Sequence, residues 1–492
     1  MDNLKYRRQF LFTPVACKEL ATWKIEQVDD YFLYVHSDCQ FEKAFGNCHL
    51  YLIGYFFNPH EPNKTSKDIL VELSKLNDIH DFPEKLYNLV GRFVLVIKTH
   101  SDVTFFNDAC GLKTLYYTKE DDKIYAASQP LLIKEVLPLK RSSAYDEYFN
   151  SAYVAENIEH WVPSGLSFYE DVYQLVPNHY ISASELEQKR YYPFQNLEIA
   201  QYADAVIQFA SLLKKTVDVA NRHIDKLAFS LTAGWDSRII LSTCKDIVDE
   251  VSFYTLRYRN MDDSHMDIRI PMSLSRTLKL KFDIFDCEQD VSKQFAEVYE
   301  ANTDMAHLND WGKIAFGMSK TDLPRKVAVK GNCSEIGRCY YFPDRKHHLN
   351  PDSANLTEKD FISLEKGWEN MNFIREGLSK WNDGLKGKSF NYNLYDLFYW
   401  EHRTGSWQAQ SQLEWDIVQE VFTPFNSREL LDLMLSIDPS KRKKKKPALY
   451  VDAMKYLWKE VLDEPINPPS FRKKLQRLVV NVLRKTGFRD KL

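Results

Sequence analysis

Leu227-Ala228-Phe229-Ser230-Leu231-Thr232-Ala233-Gly234-Trp235-Asp236-Ser237-Arg238 is the stretch on which the reading of this chain turns. An apolar run of five residues, 227–231, suits a buried strand, and a helix is expected from Ser237 to about Lys245. A strand–loop–helix corner of this kind aims backbone N–H groups and a positive dipole end at one point, which makes an anion site. Gly234 permits close approach of a phosphate to the backbone, and Thr232 and Ser237 offer hydroxyl donors. Asp236 would repel a phosphate, so its sensible role is to hold Mg2+ against one. The Walker A spacing G-x-x-x-x-G-K-[ST] is absent. Taken alone, the same residues also read as an ordinary strand-to-helix turn capped by Ser237.

Outward from this corner, the periodicity changes. Val206, Phe209, Leu213, Val217 and Ala220 recur at helical spacing and predict an amphipathic helix over 203–222. Downstream, a strand over 251–256, a helix over 268–279 and a strand over 280–285 follow. Strand alternating with helix predicts a parallel, doubly wound α/β sheet, and beyond about residue 360 the chain reads as helix-rich. The first 190 or so residues differ. Strands at 50–57, 92–98, 103–107, 114–117 and 124–127, with one helix at 68–76, predict an α+β layer. The segment 188–199 reads as a linker, so two units are expected, 1–193 and 200–492.

The 492 residues are 44% hydrophobic and 27% charged, the balance of a folded chain rather than a disordered one. A formal charge of -4 gives no global pull toward nucleic acid or anionic membranes. No segment reaches the ~20 apolar residues needed to span a bilayer, and no signal-peptide apolar region follows the N-terminus. The eight cysteines are scattered without a C-x-x-C pair, so reduced, buried thiols and a cytoplasmic setting are expected. The basic run Lys441–Lys446 lacks interleaved aromatics and reads as a surface loop, so no nucleic-acid partner is expected. His347 and His348 lack a set of further ligands, and no zinc is assigned. Residues 471–492 mix basic and apolar side chains, as a docked terminal helix or a surface-binding segment would.

Stretch 230–238 resembles the pyrophosphate loop S-G-G-x-D-S of the N-type ATP pyrophosphatases, shared by asparagine synthetases, β-lactam synthetases and lasso-peptide cyclases. Gly91-Arg92-Phe93 and Asn107-Asp108-Ala109-Cys110-Gly111-Leu112-Lys113-Thr114-Leu115-Tyr116-Tyr117 look like that superfamily's G-R-F and R-D-x-x-G-x-K-P-L-Y-Y. Ala126-Ala127-Ser128 is similar to F-A-S-E, Tyr173–Tyr180 to the K-L-P-P-G-H run, and Phe422–Arg428 to an R-V-P-F-L-D-x-R corner. The matches come in order across nearly the whole chain. The resemblance implies an Ntn-hydrolase-like sandwich followed by an α/β adenine-nucleotide α-hydrolase-like synthetase domain with a helical C-terminal part. It also implies an enzyme that forms carbon–nitrogen bonds: ATP adenylates a carboxylate, pyrophosphate leaves, and an amine displaces AMP. The implied ATP and pyrophosphate contacts are Leu231, Thr232, Ala233, Gly234, Asp236, Ser237, Thr255 and Gly331, with Mg2+ on Asp236 and Glu335.

The departures from the pattern are informative. Position 2, where glutamine-using members carry the nucleophilic cysteine, is Asp2, so no intrinsic glutaminase is expected. In the loop after the strand Val327–Lys330, where the family has G-E-G-x-D-E, Glu335 survives and Ser334 takes the place of the metal-binding Asp. The bland alternative for Glu335 is a salt bridge with Arg338. Asp267 matches an acidic residue at the start of a family helix, where it needs no function. Glu401 and Glu414 fall where β-lactam synthetases draw the carboxylate of a Tyr–Glu base, and Lys473 or Lys474 is the nearest match to the late adenylation lysine. The substrates would be a small-molecule or peptide carboxylate and an amine, in surface-glycan or secondary-metabolite assembly. A homodimer, an ammonia-dependent asparagine synthetase and a catalytically degenerate scaffold stay open.

Overall fold

The computed structural model describes residues 2–287, 289–342 and 356–468. Among these, the strands form three sheets. Five parallel strands lie in the order Phe282–Asp286, Ser252–Arg257, Leu227–Ser230, Val327–Val329, Val421–Phe422. Leu227–Ser230 is therefore central, and its near-continuous apolar run follows from burial on both faces. Phe229 and Val329 face one core with Phe209, Leu213 and Val217 of the 22-residue helix Tyr202–His223. Ala228 and Ala328 face the other, against Phe295, Trp311 and Trp415. The strand-to-helix corner thus opens at the carboxyl edge of the middle of the sheet.

The preceding residues make two six-stranded antiparallel sheets. Phe10, Phe12 and Leu33 of one sheet and Ile53, Val94 and Phe105 of the other share a buried core. The helices Ser66–Leu73 and Phe82–Leu86 cover the outer face of the second sheet through Ile69, Leu70 and Phe82. Thr65 starts the first helix with a capping box to Asp68.

These layers are fastened to the last parallel strand and the segments on either side of it. Arg92 donates to both carboxylate oxygens of Asp416, at 2.5 and 2.7 Å, and both residues are buried. The Tyr55 hydroxyl donates to the Val421 carbonyl at 2.9 Å, and Val90 bridges to Ser427. Two expectations shift. Gln188–Arg190, read as the start of a linker, is an edge strand paired to His179–Ser182. The helix expected over 237–245 runs Trp235–Leu241 and tightens into a 3-10 turn, Ser242–Cys244. No helix of the described residues is long and apolar enough to cross a membrane.

Candidate functional site

The loop between Leu231 and Ser237 is held largely by itself. The Thr232 N–H donates to Ser237 Oγ at 3.0 Å, and the two hydroxyls lie 3.0 Å apart. The Gly234 N–H donates to Thr232 Oγ1 at 3.1 Å. Asp267, at the start of the helix Met266–Leu278, accepts from the Ala233 N–H at 2.8 Å. Three of the N–H groups expected to face an anion therefore have partners within the protein. Thr255 lies within the neighbouring strand Ser252–Arg257 and donates from Oγ1 to the Leu231 carbonyl at 2.8 Å, which steadies the base of the loop.

A second loop meets the first. Gly331 passes so close that a Cβ there would lie 2.6 Å from the Asp236 carbonyl oxygen. Cys333 then adopts a left-handed conformation, φ 69°, and opens the 3-10 turn Ser334–Arg338. The Ser334 hydroxyl donates to Asp236 Oδ1, and Arg338 Nη2 donates to Oδ2 at 3.0 Å. Glu335 lies 3.8 Å from the same guanidinium, so Arg338 is shared by both carboxylates. Burial, and then the charge of Asp236, raise the Glu335 carboxyl to about 7, with Arg338 opposing. No group of three or more metal-ligating side chains occurs among the described residues. Two convergent carboxylates still fit a Mg2+ that arrives with phosphates, since that ion needs only one or two from the protein.

Both loops border one cavity of about 320 Å3. It brings together Leu231, Thr232, Asp236, Ser237, Thr255, Gly331 and Glu335, all singled out in the sequence. Ala233 is fully buried and, like Gly234, does not line it. Trp311, Trp407, Trp415, Gln412 and Lys330 complete the wall, and sequence reasoning assigned none of them. The one available signal was a lysine closing the apolar strand Val327–Val329 directly before Gly331.

The other acidic candidates sit elsewhere. Glu401, on the π-helical run Tyr399–Gln408, accepts from Arg190 Nη1 and Nη2 at 2.5 and 2.7 Å, from Trp381 Nε1 at 2.7 Å and from Asn178 Nδ2 at 3.1 Å. Burial works against its charge, yet Arg190 holds the carboxyl well below its ordinary value. Glu414 does pair with a tyrosine, Tyr299, and it also accepts from the His307 N–H at 3.0 Å and from Gln410 at 2.9 Å. Its other contact is His307 Nδ1 at 2.7 Å, and that imidazole packs 4.3 Å from Trp311, behind the cavity wall. Neither glutamate lines the cavity. Both are saturated, buried acceptors, a poor state for a base that must meet an incoming amine. Lys473 and Lys474 lie outside the described residues.

No protein-family model matches the chain, and no curated protein matches it. Among solved structures, it is similar to the NH3-dependent NAD synthetase from Campylobacter jejuni subsp. jejuni NCTC 11168 in complex with nitrate. That match has 14% identity, 38% of this chain and 97% of the other covered, and a TM-score of 0.21. It is also similar to the glutamine phosphoribosylpyrophosphate amidotransferase from B. subtilis complexed with ADP and GMP, with 9% identity, 60% and 65% covered, and a TM-score of 0.24. An allosteric regulatory enzyme of purine biosynthesis matches at 10% identity, over 61% of this chain and 73% of the other, with a TM-score of 0.23. Likenesses of this size carry nothing about activity.

Proposed function

We propose that this chain is an ATP-dependent synthetase that adenylates a carboxylate, releases pyrophosphate and passes the acyl group to an amine. The observation that carries this reading is the meeting of Asp236 and Glu335 at one cavity on the carboxyl edge of the central parallel strand. Open parallel sheets bind ligands at that edge. The catalytic demand fits the site, because an acyl-adenylate is already activated and the protein has mainly to position groups and balance charge. Thr232 and Ser237 would orient the phosphates. Asp236 and Glu335 would hold Mg2+, which when bound offsets charge on the departing pyrophosphate. Lys473 or Lys474, from the resemblance alone, would add a cation.

With Asp2 at the position of the family's glutaminase cysteine, the amine enters as a separate substrate. An uronic acid or nucleotide sugar, a small secondary metabolite or a peptide fits as the carboxylate. An ammonia-dependent asparagine synthetase is the runner-up. A catalytically silent scaffold is favoured by one specific observation: both Asp236 oxygens already have protein partners, Ser334 and Arg338.

Calorimetric titration of Mg·ATP into the wild-type protein and into Asp236→Ala separates these readings. Binding that requires Mg2+ and weakens at least tenfold in the variant is the expected result. No binding by a folded wild-type protein would leave the scaffold.

A further inference from the structure

Lys330 stands directly after the strand Val327–Val329, next to Ser230 across the sheet, and its backbone N–H donates to the Phe422 carbonyl at 3.1 Å. Its side chain follows Ala328 to the face carrying Trp415. There the ammonium rests 3.5 Å from the centre of the Trp415 ring and borders the same cavity as the Asp236 loop.

The charges around that cavity are otherwise paired. Asp236 and Glu335 share Arg338. Arg259 is held by Glu159 at 2.7 Å and by Asp310. Asp267 accepts from the Ala233 N–H. Lys330 forms no ion pair with any described residue; its partner is the electron-rich face of an indole. In the adjoining wall, Gln412, 1% exposed, leaves Oε1 without a partner, and Trp407 leaves its indole N–H unpaired. Buried polar groups are rarely left so in a finished structure, and a ligand is a natural complement to them.

We propose that Lys330 is an oxyanion-binding residue of this cavity, its ammonium receiving either the carboxylate of the acyl substrate or a phosphate of the nucleotide. The proposal rests on the synthetase reading of the same cavity and adds to it a cation drawn from the strand end. Burial, and to a smaller degree the nearby Arg92, lower the Lys330 amine to about 7. An arriving anion would restore its charge and quench its nucleophilicity.

The test is pulsed acetylation of the full-length protein with acetic anhydride at neutral pH, with Lys330 followed by peptide mass spectrometry. The pulses are run without additive, with inorganic pyrophosphate, with Mg·ATP, and with acetate or benzoate. A slowing of Lys330 labelling of at least fivefold, with other lysines unchanged, is expected from one class of anion. Protection by pyrophosphate and Mg·ATP identifies the phosphate source, and protection by the carboxylates alone identifies the acyl substrate. In parallel, Lys330→Met should weaken calorimetric binding of the protecting anion at least tenfold, and Lys330→Arg should retain most of it. Unchanged labelling in every arm, or wild-type affinity in Lys330→Met, overturns the proposal. If Mg·ATP fails to bind the wild-type protein, the synthetase reading falls while the pyrophosphate and carboxylate arms still decide the role of Lys330.

Discussion

Asp236 and Glu401 are both acidic residues in motifs of interest, yet their surroundings separate them. Asp236 keeps a side chain 27% accessible at the cavity, whereas that of Glu401 is sealed among four donors from three segments. Removing the Glu401 charge should therefore act on stability. Glu401→Gln is expected to lower the melting temperature by several degrees and to leave Mg·ATP affinity within twofold, as differential scanning fluorimetry and calorimetry would show. A large loss of nucleotide affinity at unchanged stability would count against this assignment. No local pattern around Tyr399-Trp400-Glu401-His402-Arg403 distinguishes a free base from a buried ion pair, because Arg190 lies more than two hundred residues earlier in the chain.

Among the elements, the strand Val90–Lys98 and the segment after the helix Ala409–Trp415 are joined by the Arg92–Asp416 pair. Breaking a buried, bidentate pair costs about 3–5 kcal/mol where the remaining charge has no other partner, and here Glu420, 3.5 Å from Arg92, places the cost toward the lower end. Asp416→Ala should lose about that much in denaturant unfolding, with the effect visible in probes of both layers. The exposed cap at Thr65 offers a contrast: Thr65→Ala should cost only about 1 kcal/mol by the same measurement. The strands 50–57 and 103–107 were legible because their short apolar runs and the turn residues that bound them are local. Gln188–Arg190 was missed as a strand because three polar residues at a sheet edge carry no apolar signal.

Across the whole molecule, buried histidines tie stability to pH. Burial lowers His402 to about 3 and His179 to about 4, from an ordinary 6.5, with Arg190 adding to both. Their neutral forms are favoured in the fold, so this contribution is complete above 6.5 and is lost as pH falls toward 4. Asp432 works the other way, raised by burial from 3.8 to about 6, so its share is lost as pH rises through that interval. The double variant His179→Gln/His402→Gln isolates the histidine part. Its melting temperature is expected to fall less steeply than that of the wild type between pH 6.5 and about 4. Parallel slopes for the two proteins would remove these histidines from the account.

The apolar run, glycine and helix-starting signals of 227–238 determined by themselves that a strand ends here in a tight corner, since those preferences are local and short-ranged. Helical spacing over 203–222 likewise foretold the helix Tyr202–His223. What faces the corner was decided only by the tertiary structure. Lys330, Trp311 and Trp415 reach the cavity by lying at the ends of strands and helices that the parallel sheet brings side by side, and Arg338 meets Asp236 from the neighbouring 3-10 turn. The same packing draws Glu401 and Glu414 into closed networks away from it. Residue type states what a side chain can do; burial and partners, which depend on contacts between distant segments, decide whether it is free to do it.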